Sequence, residues 1–286
     1  MIKINRISPQ NNNFTQIINT IALVPRKLYY LGELPTTRHP TVAIVGTRKP
    51  TRYGQEVTHR LSYDLAKRGV VIVSGMALGV DAIAHRATLE AGGTTIAVQA
   101  NGLSTLYPAT NRQLGEDIIK SGGAIVSEYE PDVSARDFQF LERNRIVSGL
   151  SDAVLITEAA ARSGTLNTAA HALEQGREVF IVPGNITSPL SAGCNALLKQ
   201  GATPVTCAED ILEVVAPQLL QTQATLALGD NPLQSKIITL LNEGVRDGDE
   251  LCTLSGADAR QFAAELTMME LTGLIRALGG NQWTLK

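Results

Sequence analysis

Short runs rich in β-branched residues recur from Thr41 onward, at Val42–Val45, Val70–Val73, Thr94–Val98, Ala124–Val126, Ala153–Ile156, Val179–Val182 and Thr203–Val205. Amphipathic stretches separate them, and most stop at a glycine: Tyr53–Arg68 before Gly69, Val80–Ala91 before Gly92, Thr165–Gln175 before Gly176 and Leu190–Gln200 before Gly201. Arg112–Ser121 supplies a further helix. Strand, helix and glycine cap in this order specify βαβ units, because parallel neighbours require a crossover and a helix ends readily on a residue that accepts positive φ. The expected fold class is therefore α/β, an extended Rossmann-like and mostly parallel sheet spanning residues 39–215.

The flanks lack this rhythm. Residues 1–38 contain the polar run Gln10–Asn13 and read as a lead-in with a short docking element. Residues 216–230, rich in Gln, Thr and Ala, read as a linker. In residues 231–286, helical patterns at Leu233–Leu241 and Asp258–Glu270 precede two apolar arms joined by Gly279-Gly280-Asn281, which suggests a small winged-helix-like domain with Leu266, Leu271, Leu274 and Ile275 as its core.

Charge and cysteine usage narrow the function. A net charge of -2 over 286 residues gives no global attraction to nucleic acid, so any such binding must come from locally concentrated arginine or lysine. Cys194, Cys207 and Cys252 are far apart and outside any Cys-x-x-Cys spacing, which favours neither a disulfide framework nor a zinc site. No apolar run approaches the roughly 20 residues of a spanning helix, and Met1–Gln10 lacks a signal-peptide layout, so the expected location is the cytoplasm, away from membranes.

In an open parallel sheet, ligands bind beyond the carboxyl ends of the strands. The residues following successive strands are Gly46-Thr47-Arg48, Ser74-Gly75-Met76-Ala77-Leu78-Gly79, Asn101-Gly102 with Tyr107 to Arg112, Glu158 with Ser163-Gly164-Thr165, and Pro183-Gly184-Asn185. Small residues there let backbone N–H groups approach an anion, and five such loops on one edge suit phosphate. The first loop lacks G-x-G-x-x-G and no P-loop motif occurs, so no cofactor or metal is expected. Asp81 and His85, four apart on one helix face, could form an acid/base pair, but no nucleophile or ligand set accompanies them, which favours a structural role.

Aromatic residues make up only 4% of the chain, yet Tyr107, Tyr129, Phe138 and Phe140 all fall after the third and fourth runs, beside Arg143-Asn144-Arg145. Flat rings beside arginines suit stacking of bases along a groove; core filling is the alternative for Phe138 and Phe140.

Taken in order, Val42-Ala43-Ile44-Val45-Gly46-Thr47-Arg48, Ser74 to His85, Tyr107-Pro108 with Asn111, Ser127-Glu128-Tyr129, Phe140 with Arg143 to Ile146, Glu158 with Ser163 to Thr165, Pro183-Gly184 and Gly193 to Leu198 resemble the successive signatures of the DprA/Smf DNA-processing proteins. The resemblance covers roughly Leu28 to Val215. It implies a single-stranded DNA-binding protein without catalysis that forms homodimers and loads the RecA recombinase during natural transformation. On that reading Arg48, Arg143 and Arg145 line the strand-binding pocket and Asn144 orders the loop. Gly46, Thr47, Ser74, Gly75, Ala77, Asn111, Arg112, Phe138, Phe140, Ser163, Gly164 and Thr165 complete the DNA-binding set. Ile186 and Ile211 are interface candidates that could equally be core. Met1–Lys27 is too short for the complete helical domain that family members often carry ahead of the core. Two other readings stand beside this one: a phosphoribohydrolase-like nucleotide enzyme using Glu158, and a double-stranded DNA regulator using the winged helix.

Overall fold

The computed structural model describes residues 3–221 and 231–285. Two compact units emerge, Met1–Pro217 and Gln218–Lys286. The first contains, in chain order, β1 (Asn5–Ile7), β2 (Leu28–Gly32), β3 (Thr41–Val45), α1 (Arg52–Lys67), β4 (Val71–Ser74), α2 (Val80–Glu90), β5 (Thr95–Val98), α3 (Arg112–Lys120), β6 (Ala124–Ser127) and α4 (Asp137–Gly149). It continues with β7 (Ala153–Ile156), α5 (Thr165–Glu174), β8 (Glu178–Ile181), α6 (Ala192–Lys199), β9 (Thr203–Pro204) and α7 (Ala208–Val215), and α8 (Pro217–Gln221) follows at the boundary.

The first unit's strands form one sheet in the order β1-β2-β6-β5-β4-β3-β7-β8-β9. From β6 to β9 every pairing is parallel. Every residue of β3 to β7 is buried, which explains why these strands read as continuous apolar runs rather than as alternation: helices cover both faces. The chain runs outward from β3 in one direction through β4, β5 and β6, then restarts on β3's other side with β7. That reversal opens a crevice at the carboxyl ends of β3 and β7.

Residues 1–38 are more than a lead-in. β2 pairs antiparallel with β6, from Tyr29 opposite Ser127 to Gly32 opposite Ala124, and β1 pairs antiparallel with β2. Phe14, Ile18 and Leu28 are wholly buried in the core cluster that also contains Val126, Ile146 and Leu150. This segment closes one edge of the sheet and completes one face of the core. Ile211 likewise proves to be core: it is fully buried on α7, so its side chain is unavailable to a partner, whereas Ile186 is 91% exposed in the loop after β8.

Within the region expected as a linker, residues 217–221 form α8; residues 222–230 lie outside the described residues. The second unit comprises α9 (Pro232–Asn242), α10 (Gly248–Ser255), α11 (Ala259–Leu271) and the hairpin β10 (Ile275–Gly279) and β11 (Gln282–Leu285). Ile237, Ile238, Leu241, Leu251, Phe262, Leu266, Met269 and Ile275 make its core. Leu271 does not join them; it is 76% exposed at the end of α11. Among the described residues no helix is long and apolar enough to cross a membrane.

Candidate nucleic-acid interface

The loops after β3, β4 and β7 meet the side of α4 around a cleft of about 350 Å³, lined by Gly46, Thr47, Arg48, Gly75, Ala77, Phe140, Arg143, Asn144, Arg162, Ser163, Gly164 and Thr165 among others. Backbone bonds fix the loops. The Thr47 N–H donates to the Glu158 carbonyl at 2.8 Å, joining the β3 and β7 loops, and the Val80 N–H donates to the Thr47 carbonyl at 3.2 Å. Two expected site residues serve this scaffold from outside the cleft. The Ser74 hydroxyl donates to the Ile44 carbonyl at 2.6 Å. Asn111, 2% exposed, donates through Nδ2 to the carbonyls of Met76 and Ala77 at 3.0 and 3.3 Å, bracing a turn in which Met76 takes a φ of 66°.

Arg143 is a buried cation in the cleft wall. It is 5% exposed, its Nη1 donates to the carbonyls of Gly75 and Val98, and its Nε has no partner among the described residues. Position 75 must be glycine for this packing, since a Cβ there would stand 2.6 Å from the guanidinium. Burial lowers the Arg143 pKa to about 10, partly offset by the nearby Asp81 carboxylate, so the side chain stays charged at neutral pH with little water to screen it. Asp81 accepts the Ala77 N–H at 3.2 Å, and burial raises its pKa against the opposing pull of Arg143. His85 is wholly buried with Nδ1 2.7 Å from the Thr95 hydroxyl; burial first, and then Arg143, lower its pKa to about 3. Asp81 thus supports the turn and faces Arg143, whereas His85 is tied to Thr95 on β5, and no hydrogen bond joins the two.

Phe140 stands at the rim. The Arg48 guanidinium lies 5.5 Å from its ring centroid, and the Tyr107 ring lies 5.7 Å away at 49°. Arg48 itself is exposed. Asn144 donates to Asn167 Oδ1 at 3.2 Å and the Gly164 carbonyl at 3.4 Å, tying α4 to the turn before α5. In that turn the Ser163 hydroxyl accepts the Thr165 N–H at 3.2 Å, leaving the helix start without a side-chain cap at Gly164.

Other expected residues lie apart from the cleft. Arg145 is committed elsewhere: both carboxylate oxygens of Glu128 accept from it at 2.7 and 2.6 Å, and the Leu23 carbonyl accepts at 3.1 Å. Arg112 pairs with Glu116 at 3.2 Å along α3. Phe138, 53% exposed, is not among the cleft-lining residues. Glu158 is 2% exposed, and its two oxygens accept the Thr51 N–H at 2.8 Å and the Thr51 hydroxyl at 2.7 Å. Pro183, Gly184 and Asn185 border a separate cavity beside Tyr53.

Arg162 is the cleft residue that sequence reasoning missed. It is exposed, lines the same cleft as Arg48, and has no hydrogen-bond or ion-pair partner among the described residues. The available signal was its place immediately before Ser163-Gly164-Thr165, in a turn already picked out for anion binding.

Comparison with known proteins identifies the family. The family DNA recombination-mediator protein A matches residues 5–216, and the DprA winged helix domain matches residues 221–281. Protein Smf of Escherichia coli K12 is 39% identical over 274 residues, covering 92% of this chain and 72% of that protein. DNA processing protein DprA of Bacillus subtilis is 38% identical over 219 residues, covering 76% and 73%. Among solved structures, DprA from Streptococcus pneumoniae superposes with a TM-score of 0.70 at 38% identity, covering 74% of this chain and 75% of that one. DNA processing protein A from Helicobacter pylori, described with its single-stranded DNA binding mode, gives 0.67 at 33%, covering 77% and 97%. With a family match over residues 5–216 and relatives 38–39% identical over most of their length, the chain belongs to the DprA/Smf family of DNA recombination-mediator proteins.

Proposed function

We propose that this chain binds single-stranded DNA in the cleft between the β3, β4 and β7 loops, as a binding protein rather than an enzyme. One observation carries the reading: Arg48, Arg143 and Arg162 line a single cleft beside the Phe140 ring, in a chain whose net charge is -2. Cations and flat rings in one groove match a strand that offers phosphates and unstacked base faces together. A duplex hides those faces. The Helicobacter pylori relative, described by its single-stranded DNA binding mode, supports the same reading.

Glu158 gives the nucleotide-cleaving alternative little to work with, since its carboxylate is buried and held by Thr51. The duplex-reading alternative fares no better. Residues 231–286 carry seven acidic and five basic residues, and Glu265 of α11 is engaged by Asn231 and Gln234 at 2.9 and 2.8 Å. Duplex binding draws most of its affinity from basic contacts to phosphate. Loading of the RecA recombinase and homodimer formation, which the family resemblance implies, extend the proposal; Ile186 is the exposed apolar residue that supports a self-association face.

The test is competition at fixed salt between labelled oligo-dT and an equally long duplex, alongside incubation with nucleoside monophosphates. The single strand should displace the duplex and no free base should appear. Preference for duplex, or release of base, would overturn the proposal.

A further inference from the structure

A second groove, of about 450 Å³, runs between α1 and α2, away from the cleft and sharing no lining residue with it. Arg52, Gln55, Glu56 and His59 line it from α1, and Ile83 and Arg86 from α2. The α1 members stand at i, i+3, i+4 and i+7, one helix face about 10 Å long, and the two α2 members stand one turn apart. Backbone packing joins this groove to the cleft. The Val80 N–H at the head of α2 donates to the Thr47 carbonyl at 3.2 Å, and a Cβ on Gly79 would stand 2.6 Å from the Arg48 carbonyl oxygen. α2 therefore starts against the loop that carries Arg48 into the cleft, and α1 starts shortly after the same loop, at Arg52.

The charges in the groove are arranged unlike those on the rest of the helical surface. Arg60 and Arg112 are exposed and pair along their own helices, with Asp64 at 3.9 Å and Glu116 at 3.2 Å. Arg52 and Arg86 are exposed too, yet neither has a hydrogen-bond or ion-pair partner among the described residues. Glu56 is the one carboxylate among the lining residues and pairs with neither arginine; His59 is taken by Glu90 at 2.8 Å, which ties α1 to α2. A helix N-terminus favours acids and disfavours cations, but α1 opens with Arg52 and has no acid in its first turn. A cation kept at the positive end of a helix, in line with a second unpaired cation, suits an anion that arrives from outside. We infer that a strand longer than the cleft continues past Arg48 into the α1–α2 groove, where Arg52 and Arg86 take its phosphates. The lining offers no Phe, Tyr or Trp ring for a base to stack on, so this contact holds the backbone and reads no sequence. The inference rests on the single-strand reading of the cleft and adds to it a second contact surface, reached only by longer strands.

The experiment measures affinity and its salt dependence on the full-length chain for a short oligo-dT of about 6 nucleotides and a long one of about 20, lengths that bracket the usual span of a single-strand site. The Arg52→Ala, Arg86→Ala double variant should bind the short strand as wild type does. It should bind the long strand more weakly, with a slope of log affinity against log salt shallower by about 1.4, from two phosphate contacts at about 0.7 each. Glu56→Gln removes the groove's carboxylate and should tighten the long strand while leaving the short one unchanged. All three side chains are exposed and without partners among the described residues, so the melting temperature should not move in either variant. Equal effects on both lengths, or no effect of either variant on the long strand, would overturn the groove contact while leaving the cleft reading intact. Failure of the wild-type chain to bind either strand would overturn both.

Discussion

Arg143 and Arg145 stand two apart on α4 and meet opposite fates. Two residues rotate about 200° around a helix, so side chains at these positions face nearly opposite directions. One enters the cleft wall against Gly75 and Val98; the other leaves for Glu128. The arginine pair was legible in the sequence, but its division was not, because the partner of Arg145 comes from a different loop 17 residues away. Arg162 escaped notice for a related reason: a lone arginine gains meaning only when its loop is seen to share a cleft with Arg48. The buried titratable groups near Arg143 carry a pH signature. Because His85 titrates near 3 in the folded chain and near 6.5 when unfolded, the unfolded chain binds the extra proton between those values. Stability from this group is complete above about pH 6.5 and falls by about 1.4 kcal/mol per pH unit below it. Asp81, with its raised pKa, works in the opposite direction as pH falls, so the His85 contribution is isolated by difference. The gap in unfolding free energy between wild type and His85→Asn should narrow from pH 7 to pH 5 in denaturant titrations. A gap independent of pH would show that His85 is not held neutral.

At the scale of elements, β3 to β8 were legible because a doubly covered parallel strand must be an apolar run. β1 and β2 were not. They are short edge strands with 20 residues between them, their pairing is antiparallel, and a single strand such as Leu28–Gly32 has no repeating context to identify it. α10 carries no strong apolar periodicity in its first turn, where Gly248, Asp249 and Glu250 follow Asp247, and it was not singled out from the sequence. Here Asp247 is the cap, its carboxylate accepting the N–H groups of Asp249 and Glu250 at 3.0 and 3.1 Å. The edge gives a direct test of the revised role for residues 1–38. Gly32 ends β2 with φ +84°, and a Cβ there would stand 2.2 Å from the Gly123 carbonyl oxygen. Gly32→Ala therefore combines positive-φ strain with a backbone clash and should cost on the order of 2 kcal/mol. For a unit of this size that corresponds to a melting temperature lower by about 4–8 °C. An unchanged melt would mean that β2 is not held in the sheet.

For the whole molecule, the net charge of -2 does not describe the cleft, because the charge is unevenly distributed. Several arginines of the first unit are neutralised by a carboxylate, as Arg38 is by Asp152, Arg112 by Glu116 and Arg145 by Glu128. The cleft keeps Arg48 and Arg162 unpaired by carboxylate. Sequence motifs identified the edge on which the site forms, since strand ends determine it; which loops actually meet depended on strand order, which the motifs do not encode. The second unit is acidic, so ending the chain after Pro217 should leave affinity for a short oligo-dT nearly unchanged. A loss of about tenfold or more, about 1.4 kcal/mol, would assign the second unit a share of the DNA contact. The most direct test of the cleft is the salt dependence of oligo-dT binding in wild type and in the Arg48→Ala, Arg162→Ala double variant. Each phosphate contact on a single strand contributes about 0.7 to the slope of log affinity against log salt, so the double variant should bind more weakly with a slope shallower by about 1.4. Unchanged affinity and slope would contradict the placement of the strand in this cleft.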